Sequence, residues 1–474
     1  MLKLILGRRT FMFFSFVCVG LVFFHELFAA DCFFFCTDNN IGQIASFKNT
    51  LPQSFLCNWS DNVLLGYTGG LAPWQWTDLL QWLLPAKMFS DWIHAIDLIG
   101  ASFFLGLFLM ESGLILPSVI LGGLIAFWVG SNFTLVYAGH TGKFGVILMA
   151  GLSLWLIRKA IILKRWDYAI LAGGAIGLMF LEQPDVALFF GFALGSYGLF
   201  LAVRQWQTNS AWLKPVGALI LMGGVGALLA ASTMLGSYAS NVKGAASMQT
   251  ESPQEKWDYV TQWSWPPEEC IDFIAPGYTG WRSGEPEGPY WGRMGRSAGW
   301  EQTRQGFMNF KLENTYLGII PILLALFAIF SVLARGKYGG RGVGECRSKG
   351  INGDENQVIR PNADTPIYPN SHTYTRPCSV TSRRAEILFW GCVAAITLLL
   401  AFGKFFPLYA LFYKLPFVNS IRNPNKFLQV FQLALGILAA YGLDGMLKKD
   451  ASLPAEALAK ARRPETNSGP EKTL

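Results

Sequence analysis

Long apolar runs separated by short polar punctuation recur along the whole chain. A bilayer core takes about 20 helical residues, and by that measure the chain has about ten candidate spans. They lie near Phe11–Ala30, Ile93–Met110, Leu114–Gly130, Phe144–Leu163, Tyr168–Leu181, Val186–Val203, Pro215–Leu235, Tyr316–Leu333, Ile387–Gly403 and Phe427–Leu443. The pattern predicts an all-α polytopic membrane protein. The strongly apolar parts of the fourth and fifth spans, Phe144–Ile157 and Tyr168–Leu181, cover only about 21 Å of a core about 30 Å thick. They are expected to be short.

Composition agrees: 52% of residues are hydrophobic and 15% charged, with a mean hydropathy of +0.33. Soluble domains carry about 25% charged residues, so a soluble core is excluded. The net charge of +7 matters through its placement. Lys3, Arg8 and Arg9 precede the first span, which puts the N-terminus in the cytoplasm and argues against a cleaved signal peptide; Leu27-Phe28-Ala29-Ala30 is a poor cleavage site. Counting on from there, Arg158/Lys159/Lys164/Arg165, Arg204/Lys214, the loop 334–386 and the tail from Lys448-Lys449 all fall inside. Both termini are therefore expected to be cytoplasmic.

The predicted organisation is a transmembrane core over 1–335 with outer loops 31–92 and 237–313, a flexible cytoplasmic linker over 336–386, the last two spans over 387–447 and a polar tail over 448–474. The first outer loop carries amphipathic pieces, one with Ile41, Ile44 and Phe47, another with Trp74, Trp76, Leu79, Leu80, Trp82 and Leu83, which suit the membrane interface. The second holds Trp257, Trp263, Trp265, Trp281, Trp291 and Trp300, exposed aromatics that suit either interfacial anchoring or sugar stacking. Cys32, Cys36, Cys57 and Cys270 fall outside and are able to pair in an oxidising compartment, and Asn58-Trp59-Ser60 and Asn132-Phe133-Thr134 are glycosylation sequons.

Candidate chemistry sits where polar residues interrupt this pattern. Glu182-Gln183-Pro184-Asp185 breaks an apolar stretch, and ionisable groups at membrane depth face a cavity or a substrate path. Pro184 is expected to break a helix there. Three further polar clusters fall on the same outer side: Thr37-Asp38-Asn39-Asn40, Tyr137 to Lys143 with His140 and Lys143, and Ser420 to Lys426 with Arg422 and Lys426. The last two cations stand outside against the positive-inside rule, which suits an anion. Asp97 joins the cavity or snorkels outward. Carboxylates with a histidine and cations suit transfer from a polyprenyl-phosphate sugar, in which a base deprotonates the acceptor and cations receive the phosphate. Asp38 takes the base role, with capping of the loop helix near Asn40 as its alternative. Lys143, Arg422 and Lys426 take the phosphate.

These residues resemble the GT-C superfamily of membrane glycosyltransferases, in which an acidic residue just after the first span is catalytic, the position of Asp38. Gly139-His140 and Leu415-Pro416-Phe417-x3-Ile421-Arg422-x-Pro424-x-Lys426-Phe427, followed by Tyr441-Gly442-Leu443-Asp444, resemble YfhO-type bacterial membrane proteins. The resemblance implies a bacterial inner-membrane enzyme that moves a sugar from a polyprenyl-phosphate donor to an extracytoplasmic glycan or lipid acceptor. Asp38 is then the catalytic residue, and His140, Lys143, Glu182, Gln183, Asp185, Arg422 and Lys426 bind substrate. Relatives continue with further spans or an outer domain where this chain has its polar tail. No resident cofactor is expected, although Mg²⁺ or Mn²⁺ on Asp38, Glu182 and Asp185 is chemically compatible. No nucleic-acid partner is expected. A transporter or flippase of a lipid-linked or anionic solute, and a non-catalytic assembly protein, are the alternatives.

Overall fold

Helix boundaries follow local chemistry. Asn40 caps one helix by accepting from the Gln43 amide at 3.0 Å while Gln43 returns the bond, a reciprocal cap that satisfies two otherwise orphaned amides. Gly139 ends another at φ 84°, a left-handed residue that glycine adopts without strain. Pro184 stands at the first position of its helix, where its missing N–H costs no hydrogen bond. It follows the break at Gln183, where the preceding helix has ended at Glu182, and starts the next helix.

A computed structural model of the chain describes residues 2–29, 32–34, 38–56, 59–60, 67–68, 74–209, 213–238, 252–280, 290–294, 315–337, 382–415 and 418–461. Residues 338–381 of the linker expected over 336–386, residues 462–474 of the tail expected over 448–474, and Thr37, Cys36, Cys57, Cys346, Cys378, Asn58, Trp281, Trp300, Pro416 and Phe417 lie outside the described residues.

The helices are α1 (Leu2–Phe23), α2 (Ile41–Thr50), α3 (Trp76–Leu83), α4 (Ala86–Glu111), α5 (Leu116–Phe127), α6 (Gly130–Ala138), α7 (Thr141–Leu163), α8 (Trp166–Glu182), α9 (Pro184–Asn209), α10 (Leu213–Tyr238), α11 (Pro253–Thr261), α12 (Ile319–Lys337), α13 (Arg383–Ala401), α14 (Pro407–Tyr413) and α15 (Phe427–Ala461). One small antiparallel hairpin pairs Trp59 with Thr68 and Ser60 with Tyr67. Over the described residues, six helices are long and apolar enough to cross a membrane: α4, α7, α9, α10, α13 and α15. A seventh crossing results if α5 and α6, bent by 45°, count together. The protein is an integral, multi-pass, α-helical membrane protein. Helices α1, α8 and α12 occupy the other three apolar runs.

One expectation is corrected. The fourth span is not short: α7 has 23 residues, about 34 Å of helix. Hydropathy undercounts it because polar Lys143 and Arg158 lie within the helix, and Arg158 is buried against Glu386 at 2.8 Å. Helix α8, with 17 residues, reaches about 26 Å.

Helix α15 is the hub, packing on α5, α12 and α13, while α4, α7, α8 and α10 form a second row. Small residues set the closest approaches: a Cβ added at Gly436 would meet the Gly122 carbonyl at 2.8 Å, the close backbone contact typical of membrane helix pairs. Connectivity gives the bundle two ends. One carries α2, α3, Asp38, His140, Glu182, Asp185 and Lys426; the other carries Glu111, Lys159, Arg383 and Asp444.

Candidate functional site

At the first end, four segments distant in sequence converge. The Asp38 amide donates to the Ala138 carbonyl at 3.1 Å, which pins the segment after α1 against the end of α6. This sets the Asp38 carboxylate 3.8 Å from His140 Nε2. Because Asn40 caps α2, Asp38 does not, and its side chain stays 68% exposed. His140 sits between Gly139 and α7, next to Lys143. Burial, then the Lys143 charge, push the His140 pKa down to about 4 against the pull of Asp38, with Lys426 and Asp185 also in range. The imidazole is neutral at pH 7, so it leaves the Asp38 charge in place.

Lys426 enters from the opposite half of the chain. Its ammonium pairs with Asp185 at the start of α9, and Phe189 stacks on Phe427 with centroids 4.1 Å apart beside the pair. The Asn423–Lys426 turn is held by the second loop: the Asn423 amide donates to the Val260 carbonyl and the Asn425 amide to the Trp263 carbonyl, both at 3.1 Å. Asp38, His140, Lys143, Asp185 and Lys426 thus share one region.

The remaining expected site residues have other partners. Glu182 accepts the Thr77 amide at 2.9 Å and the Thr77 hydroxyl at 2.6 Å, so it closes the N-terminus of α3, where a carboxylate is favoured. It fits because positions 142 and 145 are glycines: a Cβ at Gly142 would lie 2.9 Å from the Glu182 carbonyl, and one at Gly145 2.5 Å from its carboxyl carbon. Arg422 donates to the Tyr259 hydroxyl at 2.9 Å and lies over that ring. Gln183 links α8 to α9, its carbonyl accepting from the Ala187 amide at 2.9 Å.

Sequence reasoning left Asp97 between the cavity and the surface and missed Asp78, Ser90 and His94. Asp97 is fully buried, accepts Trp76 Nε1 at 2.9 Å, and faces Glu182 closely enough for repulsion. It does not snorkel. Asp78 also faces Glu182, and burial raises its pKa to about 6. Asp97 Oδ2, Asp78 Oδ2, Ser90 Oγ and both ring nitrogens of His94 are buried without a hydrogen-bond partner among the described residues. The signal was present: Ser90, His94 and Asp97 recur at helical spacing on α4, and Thr77, Asp78 and Gln81 form a polar stripe on α3.

The chain matches no family model, and comparisons with curated proteins and with solved structures return no match. Among the described residues no group of three His, Cys, Asp or Glu side chains is arranged to hold a metal ion. Among the described residues, Cys18, Cys32, Cys270 and Cys392 form no disulfide.

The arrangement offers a base, neutral hydrogen-bonding groups and cations within one region. Asp38 is solvated and open to a ligand, His140 supplies a neutral ring, and Lys143 and Lys426 supply positive charge. Such a set suits proton removal beside a departing or arriving anion.

Proposed function

We propose that the protein is a bacterial inner-membrane glycosyltransferase of GT-C-like build, with ten spans and both termini in the cytoplasm. It moves a sugar from a polyprenyl-phosphate donor to an extracytoplasmic glycan or lipid acceptor. The observation that carries this proposal is the exposed Asp38 carboxylate 3.8 Å from His140, beside Lys143 and Lys426.

In the proposed step, Asp38 takes the proton of an acceptor hydroxyl. The acceptor oxygen attacks the anomeric carbon, the bond from that carbon to the phosphate oxygen breaks, and the polyprenyl phosphate leaves with the electron pair. Lys143 and Lys426 receive the anion, Lys426 by exchanging its partner Asp185 for phosphate. His140, neutral at pH 7, hydrogen-bonds to ligand without cancelling the Asp38 charge. Glu182 positions the neighbouring α3 helix, and Arg422, bonded to Tyr259, serves the rim.

The test is Asp38→Asn in purified protein in lipid nanodiscs, with transfer of labelled sugar from a synthetic polyprenyl-phosphate donor as readout. Loss of about 100-fold or more, the usual contribution of a general base, with an unchanged unfolding temperature is expected. Full transfer by the Asn variant overturns the base role. Uptake of a labelled solute with no transfer by the wild type supports a carrier instead.

A further inference from the structure

Helix α3 turns its polar side inward, burying Thr77, Asp78 and Gln81. That side meets α4, α7 and α8, and two carboxylates hold its first turn. Asp97 of α4 accepts Trp76 Nε1 on Oδ1, while Glu182 of α8 accepts the Thr77 amide on Oε1 and the Thr77 hydroxyl on Oε2. Asp97 is fully buried and Glu182 only 9% exposed. Every one of these donors is neutral. The charged groups acting on the two carboxylates are each other and Asp78. Helix α7 closes the site with Gly142, Phe144 and Gly145, and its Lys143 acts instead on His140 and Asp185. From α4, His94 sets its ring edge-on to Phe144, centroids 4.7 Å apart. Its two ring nitrogens, Ser90 Oγ and Asp97 Oδ2 are buried without a hydrogen-bond partner among the described residues.

We infer that Asp97 and Glu182 form a buried proton-binding site, which holds one proton at neutral pH on Asp97 Oδ2 and thereby locks α3 to the bundle. Two anions facing each other out of water, with no cation between them, are far costlier than one, and a buried carboxyl so placed takes up a proton instead. Hydrogen bonding decides which residue carries it. Both Glu182 oxygens already accept, which stabilises the anion, whereas Asp97 has one oxygen uncommitted and becomes a donor there once protonated. His94, three residues back on the same face of α4, offers an unused ring nitrogen. The donor set suits a proton, since no three His, Cys, Asp or Glu side chains among the described residues are arranged for a metal ion.

Uptake is an equilibrium with water: the Asp97 carboxylate and one proton give the carboxylic acid. With the proton bound, Asp97 and Glu182 together bear a single negative charge, and Trp76 and Thr77 bridge them. Without it, two anions oppose each other across the first turn of α3, with Asp78 as a third, and the helix loosens. The site adjoins the start of α7, whose cap is His140, yet it holds its proton whichever reaction the Asp38 region performs.

The test is infrared difference spectroscopy of the full chain in lipid nanodiscs, on an Asp78→Asn background so that the Asp78 carboxyl does not contribute. At pH 7 a protonated-carboxyl C=O band that moves down in heavy water is expected, lost on adding Asp97→Asn and lost from the parent as pH rises. Adding Glu182→Gln instead removes the opposing charge, so the band should disappear at a lower pH. Amide hydrogen exchange over 76–83, corrected for intrinsic rates, should rise as the band is lost, and Asp97→Asn should abolish that rise. A band that survives Asp97→Asn, or a midpoint that Glu182→Gln leaves in place or raises, overturns the inference. So does loss of the band when sodium replaces choline at fixed pH, which identifies an alkali cation as the ligand. The two variants alter different residues, so poor folding of one leaves the other to decide, and neither readout depends on transfer activity.

Discussion

The two ends of the bundle handle charge in opposite ways. At the end bearing Asp444, nearly every buried charge meets its opposite: Asp444 accepts from Arg383, from Lys448 at 2.8 Å and from the Ile115 amide at 2.8 Å, Arg158 pairs with Glu386 at 2.8 Å while donating to Tyr197 at 2.7 Å, and Lys159 pairs with Glu111 at 2.9 Å. At the end bearing Asp38, three carboxylates, Asp78, Asp97 and Glu182, are buried among neutral donors, and Asp38 faces a neutral imidazole. One end ties helices together through paired charges; the other pairs Lys426 with Asp185 but, among the described residues, leaves Asp78, Asp97 and Glu182 to neutral donors, which is costly unless function requires it.

The contrast is sharpest for single substitutions in the paired end. Arg158→Leu leaves Glu386 buried and unpaired, a loss of about 3–5 kcal/mol, and is expected to lower the unfolding temperature in detergent more than any other change here. Adding Glu386→Leu should restore most of it, since removing both charges removes the desolvation as well. If the double variant is as unstable as the single one, the pair is not the tie that geometry suggests.

In the other end the sign reverses. The folded pKa of Asp78, about 6, lies above its unfolded value near 3.9. Its contribution to stability is therefore full below about pH 4 and lost as pH rises through about 6. Asp78→Asn is expected to stabilise the protein at pH 7 by up to about 3 kcal/mol, with the gain gone at pH 4. Thermal unfolding of both proteins at the two pH values decides, and destabilisation by the Asn variant at pH 7 breaks the comparison.

Asp444→Asn should cost about 2 kcal/mol, the worth of hydrogen bonds to a charged group, whereas Glu182→Gln, which removes repulsion with Asp97 while keeping an acceptor for Thr77, should cost less. Equal losses in the same unfolding assay would erase the distinction between the ends. The smallest expected effect is a titration. His140 should titrate by NMR near pH 4; Lys143→Gln should raise that midpoint by removing a repelling cation, and Asp38→Asn should lower it by removing an attracting anion. Shifts of the opposite sign would show that the lysine and the carboxylate do not face the ring.

Much of the helical layout was legible, because each apolar run reports its own burial in lipid or protein. A helix lies at every one of the ten hydropathy runs. Length was legible only where charge did not intrude: Arg158 and Lys143 hid the true extent of α7. The candidate site was legible as polar interruptions, yet which interruptions meet was not. Asp38, His140, Lys143, Asp185 and Lys426 come together, while Arg422 turns to Tyr259 and Glu182 to Thr77. Helix α3 was legible as amphipathic, but its tryptophans and leucines carry no mark of which face turns inward.

The sequence by itself determined that this chain belongs in a membrane, how its apolar helices are spaced and where polar residues interrupt them, because hydropathy, helix length and capping are local and nearly additive along a chain. The tertiary structure alone decided that Lys426 pairs with Asp185, 241 residues away, that Gly142 and Gly145 admit Glu182, and that α3 turns its polar stripe inward. Those depend on the close packing of helices remote in sequence, where a single Cβ or a single face decides which charges meet.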